Sequence, residues 1–311
     1  MRVVALSSLV VVLAACSAGQ GERPTMLPAR FEEHRIFLSV ATRNHDTLNL
    51  YTDTGGGLFV LGHVADRFGW PDSTGVDLRQ VALREDLPVP LGSQDSLIPI
   101  FRPAEHGASA HDGMLGQAWF ADRVWEIDYG AKTLSLHAET PRLGAEWSAV
   151  ALGFLTDSLG ARVLSFPRMP IVVDGDTLQM LLDTGATGHL TTAAHVALGD
   201  GGPLVRATSF ITSEVFGRWR ARHPSWRVVP AADSMLAGMA MIEVPVVSVA
   251  GVAVGPVWFM ERPDANFHTY MAQWMDRPVD GALGGNAFRF FRTILDYPGS
   301  TAHFLPIEDR R

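Results

Sequence analysis

Asp46-Thr47-Leu48-Asn49-Leu50-Tyr51-Thr52-Asp53-Thr54-Gly55 is matched without a gap by Asp176-Thr177-Leu178-Gln179-Met180-Leu181-Leu182-Asp183-Thr184-Gly185. Polar and apolar positions alternate in step, and each stretch ends in Asp-Thr-Gly. A second pair of segments follows at equal internal spacing. Asp112-Gly113-Met114-Leu115-Gly116, with Phe120 and Asp128-Tyr129, matches Asp280-Gly281-Ala282-Leu283-Gly284, with Phe288 and Asp296-Tyr297. At average residue usage a given tripeptide occurs about once in several thousand positions, so two in matching contexts mark a duplication. The repeat divides the chain into a first lobe over residues 30–138, a linker over 139–159 with Pro141 and Gly144, and a second lobe over 160–311.

The local signals are those of a mainly β protein. Ile171-Val172-Val173 and residues 178–182 flank Asp174-Gly175, a strong hairpin signal that puts the second triplet on a loop at a strand end. Residues 246–249 and 252–259, separated by Ala250-Gly251, predict another hairpin, and residues 294–296 and 302–305 predict closing strands. Short helices are expected after each triplet, at 63–68 and 192–198, and after each Leu-Gly, at 118–122 and 286–291. Short strands, tight turns and few helices predict two compact β-barrel lobes.

Composition narrows the function classes. With 47% hydrophobic and 19% charged residues the chain has the balance of a packed protein. Its formal net charge of -8 comes without a basic run able to track phosphates, which argues against a nucleic-acid partner. At the N-terminus, Arg2 precedes an apolar stretch over residues 3–15, read as a signal peptide (residues 1–15). That stretch is short of the roughly 20 residues a bilayer-spanning helix needs. Leu13-Ala14-Ala15-Cys16 resembles the lipobox of bacterial lipoproteins, which implies lipidation of Cys16, a tether over residues 16–29, and a membrane-anchored position in the bacterial cell envelope facing periplasm or exterior. Cys16 is the single cysteine, so no disulfide forms within one chain.

Two carboxylates can hydrolyse an amide without a metal or a nucleophilic side chain. One activates water as a base, and the other protonates the carbonyl oxygen or the leaving amine as an acid. Held about 3 Å apart they cannot both ionise, so they share a proton and titrate as a pair. Glycine after the aspartate allows close backbone approach, and a threonine hydroxyl can bond across the interface. Each triplet supplies half of such a device. Covalent linkage raises the effective concentration of the second half to the mM range, so one chain is expected to carry a complete dyad as a monomer.

On Asp53-Thr54-Gly55, Asp183-Thr184-Gly185, Met114-Leu115-Gly116 and Ala282-Leu283-Gly284, the chain resembles the pepsin and retropepsin superfamily, in particular the bacterial retropepsin-like proteins with a duplicated lobe. The resemblance spans nearly the whole mature chain. It implies an acid-protease fold and an aspartic endopeptidase acting on peptide or protein substrates. Asp53 and Asp183 would be catalytic, and Thr54, Gly55, Thr184 and Gly185 would support the catalytic loops. No cofactor and no metal is implied. The chain departs from the family at Gly55-Gly56-Gly57, which predicts a looser first loop, and in lacking a Tyr-Gly-Thr-Gly flap. No tyrosine lies between Asp53 and Asp112, so a flap is expected from residues 76–99 or from residues 206–229, where Phe216, Trp219 and Trp226 could cover an apolar side chain. The alternative is a lipoprotein that keeps the fold as a peptide-binding or assembly module without turnover.

The remaining repeated acids, Asp112, Asp128, Asp280 and Asp296, lie beside turns and strand ends and are read as structural. His106, His111, His189 and His195 match no metal spacing. A serine or cysteine hydrolase lacks its Gly-x-Ser-x-Gly elbow, and the glycines at 199, 201 and 202 lack the lysine of a phosphate loop.

Overall fold

The computed structural model describes residues 23–73, 75–84, 87–89, 97–103 and 111–307. The signal segment, Cys16, His106 and part of the first flap candidate lie outside the described residues. The alternating strand Thr47–Thr52 forms a hairpin with Arg35–Ala41, and Asp176–Leu182 forms one with Arg168–Val173. Asp174 and Gly175 take positive φ at 50° and 82°, as a tight two-residue turn requires. Each triplet strand then pairs in parallel with a Gly-x-Leu strand, Leu50 opposite Gly113 and Met180 opposite Gly281. On its far side each Gly-x-Leu strand meets an antiparallel strand, Phe59–Leu61 in the first lobe and Ser209–Thr212 in the second. The first lobe completes a six-stranded sheet and the second a nine-stranded one.

The lobes share a third sheet. Its order is Thr25–Met26, Thr133–His137, Val124–Asp128, Phe291–Asp296, Thr301–Pro306 and Ser148–Ala151. The central pairing, Ile127 opposite Thr293 among others, joins the last hairpin of one lobe to that of the other. Trp119, Phe120, Trp125 and Tyr297 are all buried in the core beneath it. The mainly β, two-lobed architecture anticipated from the duplication is the architecture of the chain. Strands also occur at Thr25–Met26, within the stretch read as tether, and at Ser148–Ala151, within the stretch read as linker.

Several local expectations change. Helices form at Gly62–Phe68 and Thr192–Leu198, the second capped by the Thr191 hydroxyl and by Gly199 at φ 66°. They are not repeat partners, however. The topological counterpart of Gly62–Phe68 is Ser213–Arg222, because each follows the strand that flanks Gly-x-Leu. Thr192–Leu198 belongs to an insertion found in the second lobe, bounded by the ribbon Thr187–His189 with Val205–Ala207. The helices after Leu-Gly start one residue earlier and end sooner, at Gln117–Phe120 and Gly285–Phe288, because Phe291 already enters a strand. The run 252–259 splits at Gly255-Pro256. Val252–Val254 pairs with Val247–Val249, while Val257–Arg262 crosses to the other end of the sheet.

Candidate active site

The two triplets meet at the junction of the lobes. Asp53 N–H donates to Leu115 O at 3.0 Å and Asp183 N–H to Leu283 O at 2.9 Å, so each loop hangs from its own Gly-x-Leu strand. The threonines then lock one loop to the other. The Thr54 hydroxyl donates to Leu182 O at 2.7 Å and accepts from Thr184 N–H at 2.9 Å, and Thr54 N–H donates to the Thr184 hydroxyl at 3.1 Å. All of these groups are buried. The glycines admit the opposite carboxylate: a Cβ on Gly55 would lie 2.6 Å from Asp183 Cγ, and one on Gly185 would overlap the Asp53 carboxylate. Gly55 N–H donates to Asp53 Oδ1 at 2.9 Å and Gly185 N–H to Asp183 Oδ1 at 3.0 Å, which fixes the orientation of each carboxylate.

Each carboxyl group lies against the opposite loop, close enough to interact with the other. Burial raises the Asp53 carboxyl above its ordinary range, opposed by its interaction with Asp183 and by the N–H groups of Gly55 and Gly56. Burial, and then the Asp53 charge, push the Asp183 carboxyl up much further. The pair therefore holds one proton well into the pH range where isolated aspartates are ionised, and that proton belongs to the pair. Such a pair can accept a proton and donate one in the same encounter.

The Gly55-Gly56-Gly57 loop is not loose. Gly56 N–H donates to Asp53 O at 3.1 Å, Gln117 N–H donates to Gly56 O at 3.0 Å, and Gly116 is packed so closely against the Gly56 and Gly57 carbonyls that a Cβ there would overlap both. Of the flap candidates, the second is ruled out as a cover. Phe216 and Trp219, on the helix Ser213–Arg222, are buried in the core, and Trp226 stacks on His223 at 4.1 Å. The first is described only in part, with Val76, Leu87 and Ile98 buried. Asp112 and Asp280 have the same task in each lobe: their Oδ2 atoms accept from Asn49 and Gln179 N–H at 2.7 Å. Asp128 caps a turn at Ala131 N–H, and Asp296 accepts from Gly299 N–H and the Thr140 hydroxyl. The His195 ring bonds Gly202 O at 2.6 Å, and His111 stacks on Tyr51 at 5.6 Å.

Tyr51 was not singled out from sequence. Its hydroxyl donates to Gly185 O at 2.8 Å and is 2.8 Å from Thr187 Oγ1, so a first-lobe side chain ties down the second-lobe loop beside Asp183. Burial, then the Asp53 charge, hold its phenol protonated far above the ordinary tyrosine range. The usable signal was a mismatch in the repeat, where Tyr51 stands opposite Leu181.

A solved structure of an aspartic proteinase from Irpex lacteus aligns with 92% of this chain and 98% of its own, at 11% identity and a TM-score of 0.46. No protein-family model and no curated protein matches the sequence.

Proposed function

We propose that the protein is an aspartic endopeptidase whose dyad is Asp53 and Asp183. The observation that carries this reading is the pair of carboxyls brought together across the lobe junction by glycines that admit them and by reciprocal Thr54 and Thr184 bonds, with burial pushing both groups up. The ionised Asp53 takes a proton from the attacking water while Asp183 gives its proton to the peptide carbonyl oxygen, forming a gem-diol. On collapse, Asp53 returns its proton to the leaving nitrogen and Asp183 recovers one from a diol hydroxyl. The dyad is thereby restored. Because both halves lie in one chain, a monomer is sufficient. The ordered Gly55–Gly57 backbone removes one ground for a purely binding module.

Cleavage of a diverse peptide library from about pH 3 to 8 tests the reading, with Asp53→Asn and Asp183→Asn in parallel. A bell-shaped profile and two inactive variants support the dyad; peptide binding without cleavage by the wild type replaces it with the binding module. The same proposal includes attachment to a bacterial envelope membrane through a lipid on Cys16, facing periplasm or exterior. Its support is the Leu13-Ala14-Ala15-Cys16 sequence. Incorporation of a labelled fatty acid that disappears in Cys16→Ser is the expected result.

A further inference from the structure

Arg35 begins the strand that pairs with the first triplet strand, just after the Glu33-His34 turn. That turn is docked on the second lobe, with Ala207 N–H donating to Glu33 O at 3.2 Å. In the ladder Phe37 faces Tyr51, so Arg35, two residues on, lies on the same face and level with Asp53. Phe37 stacks on Tyr51 at 4.9 Å, and the Arg35 guanidinium lies 5.4 Å from the Phe37 ring centroid. Its charge is felt by Tyr51, His111 and His189, the last on the ribbon that leaves the second triplet. Arg35 thus lies near the lobe junction, next to the Phe37–Tyr51 stack that leads into the first triplet.

What distinguishes it is a missing counter-charge. Among the described residues, Arg168 pairs with Asp276 at 2.7 Å, Arg262 with Asp233 at 2.5 Å and Arg292 with Glu126 at 2.7 Å. Arg123, without a carboxylate, donates to the Trp119 and Val89 carbonyls. Arg35 has neither, and its Nε is buried without a hydrogen-bond partner. A half-buried guanidinium that no protein carboxylate neutralises is strongly complemented by a carboxylate that reaches its accessible N–H groups. The second lobe repeats the position with different chemistry. Counting along the Arg168–Leu181 pairing puts Phe166 level with Asp183, beside Leu181, Phe267 and Ala282.

We propose that Arg35 is a specificity-determining residue that selects peptides carrying an acidic side chain on one side of the bond to be cut, the opposite wall taking an apolar one. For turnover this rests on the peptidase reading; for peptide binding it stands apart from it. The test uses full-length protein in detergent and matched peptides differing by Glu, Gln or Lys at each position around the cleaved bond. Cleavage is read in the wild type, and binding by fluorescence anisotropy in Asp53→Asn. At one position Glu is expected to exceed Gln by roughly 10- to 100-fold, the yield of one charge-assisted pair. Arg35→Gln removes that ratio, Arg35→Lys restores part of it, and Arg35→Glu reverses it in favour of Lys, a gain that misfolding cannot produce. No acid preference in binding or cleavage, or one that survives in Arg35→Gln, overturns the proposal. Acid-selective binding that depends on Arg35 without any cleavage upholds it while removing the peptidase reading.

Discussion

The two lobes are copies in their frames and unlike in what they bring to the junction. In the first, the chain passes from Asp53 to Phe59 with a tight glycine loop between; in the second, from Asp183 to Ser209, it inserts a ribbon and the helix Thr192–Leu198. The polar face beside Asp53 carries Arg35, Tyr51 and His111, whereas Phe166, Leu181 and Phe267 gather beside Asp183. Duplication retained the parts that must be equal, namely triplet, grip and supporting acid. It released the parts that flank the triplets. The proposed recognition would therefore be divided, with charge beside the first triplet strand and apolar side chains beside the second.

The largest expected effect tests the equality. Asp53→Asn and Asp183→Asn should each reduce kcat on the order of 10³-fold or more, since each removes one of two coupled proton carriers. A variant that retained even a tenth of the rate would break the symmetry of the dyad. The grip is less symmetrical: the Thr54 hydroxyl both donates and accepts across the junction, while the Thr184 hydroxyl accepts. Urea unfolding should register a loss of about 2–4 kcal/mol for Thr54→Ala and about 1–2 kcal/mol for Thr184→Ala.

A third contrast lies in the shared sheet, where Glu126 and His137 of the first lobe meet Arg292 of the second. Burial pushes the Glu126 carboxyl up, but bonds from His137 and Arg292 outweigh it and hold the group below the ordinary glutamate range. Such a group stabilises the fold above the pKa of the unfolded chain, and the contribution is lost as pH falls through the folded value. Glu126→Gln should therefore cost about 1–3 kcal/mol near pH 7 and progressively less as pH drops below about 4, measured by denaturation at stepped pH. The smallest effect belongs to Tyr51→Phe, which removes the cross-lobe bonds to Gly185 O and Thr187 at about 1 kcal/mol. It should alter KM more than kcat. An unchanged KM would mean that the wall beside Asp183 is set by the insertion alone.

The equal parts were legible because they repeat: triplets, Gly-x-Leu segments and repeated acids recur at fixed spacing, and hairpin and helix signals beside them are local. What escaped reading depends on pairing over long distances. Residues 213–222 carry Val215, Phe216 and Trp219 on one face, the pattern of a helix lying on a core, yet their place after the triplet suggested a flap. Only the sheet order reveals that this helix is the partner of Gly62–Phe68. The insertion was hidden similarly, because a well-capped helix at Thr192–Leu198 says nothing of where the repeat resumes. Arg35 has no local signature at all. Its character comes from a ladder register and from carboxylates that lie elsewhere.

The shared sheet also imposes a schedule on synthesis. Val124–Asp128 pairs with Phe291–Asp296, so the strand emerges from the ribosome 163 residues (291 minus 128) before its neighbour begins. At about 5–20 residues per second the first lobe waits on the order of 10–30 s with that edge bare. An unpaired edge recruits whatever strand it meets, so a chain stalled after its first lobe is a ready seed for aggregation. Arrival of the second lobe is what closes that edge.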